Sequence, residues 1–225
     1  TPTDGSFTDA ALTTPRQEAR RFFLVLPKSP RFSDGRIPLV IFHHGLGQSR
    51  KDAFIIGNAI ALEGFATLAV DAPFHGLRSY CLADSECVGT PCTNHRCADD
   101  LLTSGTGYKV RQLQSPFGGT IDDPTETPAE SGRGYISAAD LFGTRDHFRQ
   151  EVIDYAQLIR VLNDTTAGIG AINVDDPATT AVVEKLDPVD PRYMGQSLGG
   201  IAGGLITCAN PEIPSAVLNV AGGSQ

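Results

Sequence analysis

Gly195-Gln196-Ser197-Leu198-Gly199 places a serine between two glycines. The motif lies where a strand-like run, Arg192 to Met194, gives way to a small-residue run of helical character from Leu198 to about Cys208. A serine in that frame can act as a nucleophile. Held on a tight strand-to-helix turn, its hydroxyl is exposed, and the start of the helix directs backbone N–H groups and a positive dipole end at a forming oxyanion. Gly195 and Gly199 remove side chains that would collide as the turn closes. Gly200, Gly203 and Gly204 are expected to let the helix pack close to a sheet. The alternative for Ser197 is an ordinary helix N-cap. Gln196 fills the variable position and is expected to shape or contact the site.

Two further turns carry candidate chemistry. His43-His44-Gly45-Leu46-Gly47 follows one apolar run, and Asp71 to Gly76, with His75, follows another. The runs themselves, Ile37 to His43 and Phe65 to Val70, are nearly continuous and β-branched, as expected of strands buried on both faces of a parallel sheet. Pro38 stands at the start of the first, where a missing N–H is tolerated. Asp52 to Glu63 reads as a helix between them, with apolar positions Phe54, Ile55, Ala59, Ile60 and Leu62, closed by Gly64. Strand, helix, strand makes a βαβ unit.

Outside this unit, Arg21 to Pro27 reads as a strand. Ser137 to Leu162 reads as a long helix whose stripe, Phe148, Val152, Tyr155, Ile159 and Leu162, is plain core packing. Thr165 to Asp190 reads as a polar connection in which Asp175, Asp176, Asp187 and Asp190 serve turns and caps, since the spacing and glycine of a calcium loop are absent. Ser215 to Val220 is expected to be a further buried strand. These elements predict one α/β domain over residues 1–225, with residues 74–136 as an excursion over the active-site side.

Composition narrows the function classes. A chain of 225 residues with 40% hydrophobic and 20% charged residues suits a single globular domain. A net charge of −8 argues against nucleic acid as a partner. No apolar run reaches the ~18 residues of a transmembrane segment. Cys81, Cys87, Cys92 and Cys97 cluster in the excursion, with His95 among them. Their spacing departs from common zinc pairs, and two local disulfides, of open connectivity, are preferred over a metal site or reduced thiols. That preference implies an oxidising compartment, hence a secreted or periplasmic protein. Cys208 is expected to be a buried helix residue.

Three segments, HHGLG, LAVDAPFHGLRS and MGQSLGGIAGG, together resemble the α/β-hydrolase superfamily, and within it secreted bacterial lipases and esterases. The resemblance covers residues 36–79 and 137–222; Phe74 departs from it, standing where the family's D-x-x-G-H-G-x-S has its first glycine. It implies a three-layer α/β sandwich with a mostly parallel central sheet, here lacking its last strands. It implies Ser197 as nucleophile, the amides of Leu46 and Leu198 as oxyanion donors, substrate-binding or loop-shaping roles for His44 and Gly45, and loop-shaping roles for His43, Asp71 and His75. No metal and no organic cofactor is implied. Substrates would be small-molecule, lipid or polymeric esters.

The family order is serine, acid, histidine. After Ser197 the chain holds no histidine, no aspartate, and Glu212 as its one acid. The acid and histidine are therefore expected beyond Gln225, in a C-terminal segment or a second chain. The same fold also hosts peptidases and acyltransferases, and a non-catalytic binding module that has lost its triad is the reading from another class.

Overall fold

The computed structural model describes residues 20–28, 36–78, 84, 91–93, 96–97, 111–114, 120–123, 131–132, 134–164 and 185–222. Its main sheet has five strands in the order β1-β3-β2-β8-β9. They are β1 (Phe22–Val25), β2 (Arg36–His43), β3 (Ala66–Val70), β8 (Lys185–Gln196) and β9 (Ala216–Asn219). β2 pairs in parallel with β3 and β8, and β8 in parallel with β9, while β1 is an antiparallel edge on β3. Two short hairpins, β4 (Cys92–Thr93) with β5 (Arg96–Cys97) and β6 (Arg111–Gln114) with β7 (Thr120–Asp123), lie in the excursion. Cys92 and Cys97 are cross-strand partners in the first hairpin. Cys81, Cys87, His95, Asp175 and Asp176 lie outside the described residues.

Alternation along β2 builds the three layers. Ile37, Leu39 and Ile41 join Leu68 of β3 in a core shared with two helices, α2 (Leu141–Asn163) and α3 (Leu198–Ala209). Phe42 of β2 and Ala69 of β3 turn the other way, onto Ala53 and Ile56 of α1 (Ala53–Leu62). Helices thus cover both faces of a mostly parallel sheet, which explains why β2 and β3 read as continuous apolar runs. The α2 stripe packs on the sheet as read, through Tyr155, Ile159 and Leu162, with Phe148 and Val152 partly buried beside them.

Four local readings are corrected, while the helix read over Asp52 to Glu63 stands as Ala53–Leu62 with those two residues as its caps. The α1 stripe is not the one read from the sequence: Phe54, Ile55 and Leu62 are exposed, while Ala53 and Gly57 are buried. Gly57 decides this, because a Cβ there would lie 2.8 Å from a Val25 methyl on β1. The helix start is set by Ser49, whose N–H donates to Asp52 Oδ2 (2.9 Å) and whose hydroxyl caps a 3₁₀ turn over Arg50–Asp52. Residues 185–190 are strand rather than connection; the pairing with β2 shifts between Pro38↔Asp187 and Val40↔Arg192, and this bulge absorbs Pro188, Asp190 and Pro191. Asp187 there accepts from Arg36 Nη1 at 3.1 Å. β9 is an exposed edge, not a buried strand. Cys208 is exposed, because the buried face of α3 runs through Leu198, Ala202 and Ile206.

The glycines of α3 divide in the same way. A Cβ on Gly200 would meet Ala221 and the Asn219 carbonyl at 2.9 Å, and one on Gly203 would lie 2.5 Å from the Tyr193 ring and 2.6 Å from Leu218. Gly204, read as a packing glycine, faces open space. Adjacent substitutions should therefore act in opposite directions. Gly203→Ala should destabilise the protein by about 1–3 kcal/mol through overpacking, even after a gain in helix propensity. Gly204→Ala should stabilise it by about 0.4–1 kcal/mol. Urea unfolding midpoints of the two variants, measured against the parent, check the opposition; midpoints that moved together would refute it.

Candidate active site

β8 delivers Ser197 to the carboxyl end of the sheet, beside the end of β2. There the backbone reverses into α3 within one residue. Ser197 has φ 52° and ψ −111°, a left-handed conformation rare for a residue with a Cβ. Its hydroxyl makes no capping bond, which removes the N-cap reading. The turn is crowded enough to require its glycines. A Cβ on Gly195 would lie 2.1 Å from the Gly199 carbonyl oxygen, and one on Gly199 would lie 2.3 Å from the His43 carbonyl oxygen. Tyr193 fastens the turn from beneath, its hydroxyl donating to the Gly199 carbonyl at 2.7 Å. Burial pushes that phenol's pKa up, so it stays a donor. The Ser197 N–H donates to the Asn219 carbonyl at 2.9 Å, tying the elbow to β9. Gln196 pairs with Asn219 across the two strands and is half-buried.

The glycine-rich turn after β2 lies against the serine. A Cβ on Gly45 would sit 3.3 Å from Ser197 Cβ and 2.7 Å from Gln48 Oε1. Two peptide groups in this turn are held at their oxygens. The His44 carbonyl meets His43 Nδ1 at 2.9 Å, and the Gly45 carbonyl meets His44 Nδ1 at 2.9 Å and the Gln48 N–H at 3.2 Å. The Gly45 N–H donates to Gln48 Oε1 at 2.7 Å. The Leu46 and Leu198 amides have no hydrogen-bond partner among the described residues. The Leu46 side chain is exposed.

His44 is chemically committed. Its Nε2 accepts from the Ala72 N–H (3.1 Å), so its Nδ1 carries the hydrogen given to the Gly45 carbonyl. Burial, then the nearby His75 and His43, holds its pKa well below the usual histidine value. His75 donates from Nδ1 to the Pro73 carbonyl (2.7 Å), and burial lowers its pKa to about 4. His43 is fully buried beneath the elbow, its ring stacked on Tyr155. The fourth described histidine, His147, meets the Tyr135 carbonyl through Nδ1 (2.7 Å). Asp71 follows the last residue of β3, paired with the buried Arg50 guanidinium and accepting from the Arg50 N–H at 2.8 Å. Arg78 reaches the Asp71 carbonyl (3.0 Å) and Asp154 of α2 (2.6 Å).

Several residues of this neighbourhood escaped sequence reasoning. Gln48 clips the Gly45 turn. Ser131 bridges two turns, its hydroxyl donating to the Gln48 carbonyl (2.5 Å) and accepting from the Gly76 N–H (3.0 Å). Glu151, fully buried on α2, meets His43 Nε2 at 3.1 Å. Only Glu151 carried a signal, as a charge inside the apolar stripe of its helix. Among the described residues no cluster of His, Cys, Asp or Glu could hold a metal ion, and no helix is long and apolar enough to cross a membrane.

A doubly covered, mostly parallel sheet carrying a strand–Ser–helix elbow beside the glycine-rich turn of its neighbouring strand is the α/β-hydrolase fold. No protein-family model matches the chain, and no curated protein matches its sequence. Among solved structures it is similar to a monoacylglycerol lipase from Paleococcus ferrophilus at 13% identity and TM-score 0.37, over 85% of this chain and 39% of that one. It is similar to a ferulic acid esterase from Streptomyces cinnamoneus at 15% and 0.40, over 79% and 34%. An acetyl xylan esterase from a Thermoanaerobacterium species matches at 19% and 0.38, over 88% and 43%. Scores of this size carry no weight beside the sheet and the elbow, and the chain spans less than half of each of these proteins.

The neutral histidines make stability depend on pH. The unfolded chain binds a proton at His75 near the ordinary histidine value of 6.5, and the folded chain only near about 4. Between those values the unfolded state holds more protons, so this contribution is complete above about pH 6.5 and is lost as pH falls toward 4. Between pH 7.5 and 5 it amounts to about 2 kcal/mol. Urea unfolding at the two pH values should show a smaller loss for His75→Gln than for the parent. Equal losses would refute the assignment.

Proposed function

We propose that the chain carries the nucleophile and oxyanion-binding half of a serine hydrolase acting on carboxylic esters. The observation that carries this reading is Ser197 itself, held at φ 52° with its hydroxyl free of any hydrogen bond among the described residues. A non-glycine residue in such a conformation costs about 1–3 kcal/mol, and a binding module gains nothing from it. Ser197 Oγ attacks the acyl carbonyl and forms the new C–O bond. The amides of Leu46 and Leu198 receive the charge on the carbonyl oxygen, the alcohol leaves with a proton, and water then releases the acid from the acyl-enzyme.

None of the four described histidines is placed to carry the proton. His43, His44 and His75 are buried beneath the turns, and His147 is committed to the Tyr135 carbonyl. The reading therefore assigns the histidine and its acid to sequence beyond Gln225, in the same or a second chain. The exposed β9 edge, with Val217 and Leu218 open, fits a further strand from that source. Four cysteines in the excursion support an oxidising compartment and so a secreted or periplasmic enzyme, for which lipid or polymeric esters are the fitting substrates.

A fluorophosphonate probe tests the reading in the full-length protein. Ser197 should be labelled covalently, and Ser197→Ala should abolish labelling and lower hydrolysis of a p-nitrophenyl ester by about 10³-fold or more. A folded full-length protein that neither labels nor hydrolyses would instead be the binding module.

A further inference from the structure

We infer that Glu151, acting through His43, and Gln48, acting directly, form a clamp that sets the direction of the oxyanion-turn amides. Glu151 is thereby a positioning residue 46 positions before the nucleophile in sequence. The inference rests on the hydrolase reading above and names parts of the same site which that reading leaves unassigned.

The clamp follows from what each atom can do. The His44 carbonyl can only accept, so His43 Nδ1, 2.9 Å away, carries a hydrogen and gives it. The other ring nitrogen then meets Glu151 Oε1 at 3.1 Å, and a proton between them makes the bond whichever atom holds it. His43 therefore cannot rotate about its ring axis without breaking a bond at each end. In a trans peptide the N–H points opposite the C=O, so holding the His44 oxygen on one side aims the Gly45 N–H to the other. There it meets Gln48 Oε1 at 2.7 Å. The next peptide is held at the Gly45 oxygen by His44 Nδ1 and the Gln48 N–H, which turns the Leu46 N–H away from them and leaves it unpartnered.

Packing alone does not account for Glu151. Its position on α2 is fully buried, and a fully buried carboxyl is tolerated only with a partner. Oε1 meets His43 Nε2, and the carboxyl also interacts with the buried Tyr135 phenol, whose pKa is raised first by burial and then by Glu151. Tyr155 stacks on the same imidazole, with ring planes 2° apart, and fixes its plane.

Kinetics of the full-length protein on a soluble p-nitrophenyl ester test the clamp. Glu151→Leu removes the partner of His43 and should lower kcat by about 10- to 100-fold, the range for misaimed catalytic groups, with KM changed less than about threefold. Glu151→Gln keeps a hydrogen bond to Nε2 and should restore most of that loss. Gln48→Met, at a half-buried surface turn, removes the other jaw and should show the same fall in kcat at constant KM. If Glu151→Leu does not fold, Glu151→Gln and Gln48→Met decide. The clamp is overturned if folded variants lose thermal stability and keep kcat, or if Glu151→Gln is as impaired as Glu151→Leu. A parent that labels with the probe while the variants are indifferent sinks the clamp alone; a parent that neither labels nor turns over sinks the hydrolase reading with it.

Discussion

A carbonyl oxygen at Gly199 occupies the space where residue 195 would carry its Cβ, 2.1 Å from the ideal position. That contact forces the rest of the elbow. β8 has to end at Gln196, the next residue has to take a left-handed conformation, and α3 has to begin at Leu198. The close approach also brings the Gly199 carbonyl within reach of the Tyr193 hydroxyl and seats α3 over that ring at Gly203. The two glycines of the motif therefore answer to different neighbours: Gly195 to its own turn, Gly199 to the end of β2. The second dependence couples the elbow to the adjacent strand, so the two turns that face each other cannot shift independently.

Behind the turns the interior is polar. Three histidines, Asp71, Arg50 and Glu151 are buried together at the carboxyl ends of β2 and β3. Removing such groups from water is costly, and each described contact offsets that cost with a specific partner: Arg50 with Asp71, His43 with Glu151, His44 with a backbone N–H and a carbonyl. Packed hydrocarbon would give comparable or greater stability but would leave the loops free to choose among conformations. Here the imidazoles of His43 and His44 act as rigid two-ended spacers, the first joining a turn to a helix and the second one turn to another. Burial keeps His44 and His75 neutral, and the same burial makes those two vulnerable to acid.

Much of this was legible in the chain, for reasons that differ by residue. β2 and β3 were clear because burial on both faces leaves an unbroken apolar run, and the long helix was clear because its stripe repeats at the helical period. The elbow was legible because steric crowding admits glycine alone at two fixed positions. The start of β8 was hidden by Pro188, Asp190 and Pro191, which look like a loop until a bulge accommodates them. Burial of Cys208 and of β9 was misjudged because apolar character does not say which side of an element is covered; that depends on neighbours distant in sequence. Gln48 was invisible, since a polar residue in a turn is ordinary. Glu151 was visible only as an anomaly in an otherwise apolar face, with nothing local to say that a histidine 108 positions earlier was its partner.

The left-handed backbone at position 197 has a bearing on how such a chain changes over generations. Glycine adopts φ 52° freely, whereas serine does so against a steric gradient. From the serine codons AGU and AGC glycine is one nucleotide away, so the more relaxed polypeptide is then within easy mutational reach. Drift guided by folding alone would carry the position toward glycine. A serine that persists there is being kept by something other than the demands of the fold.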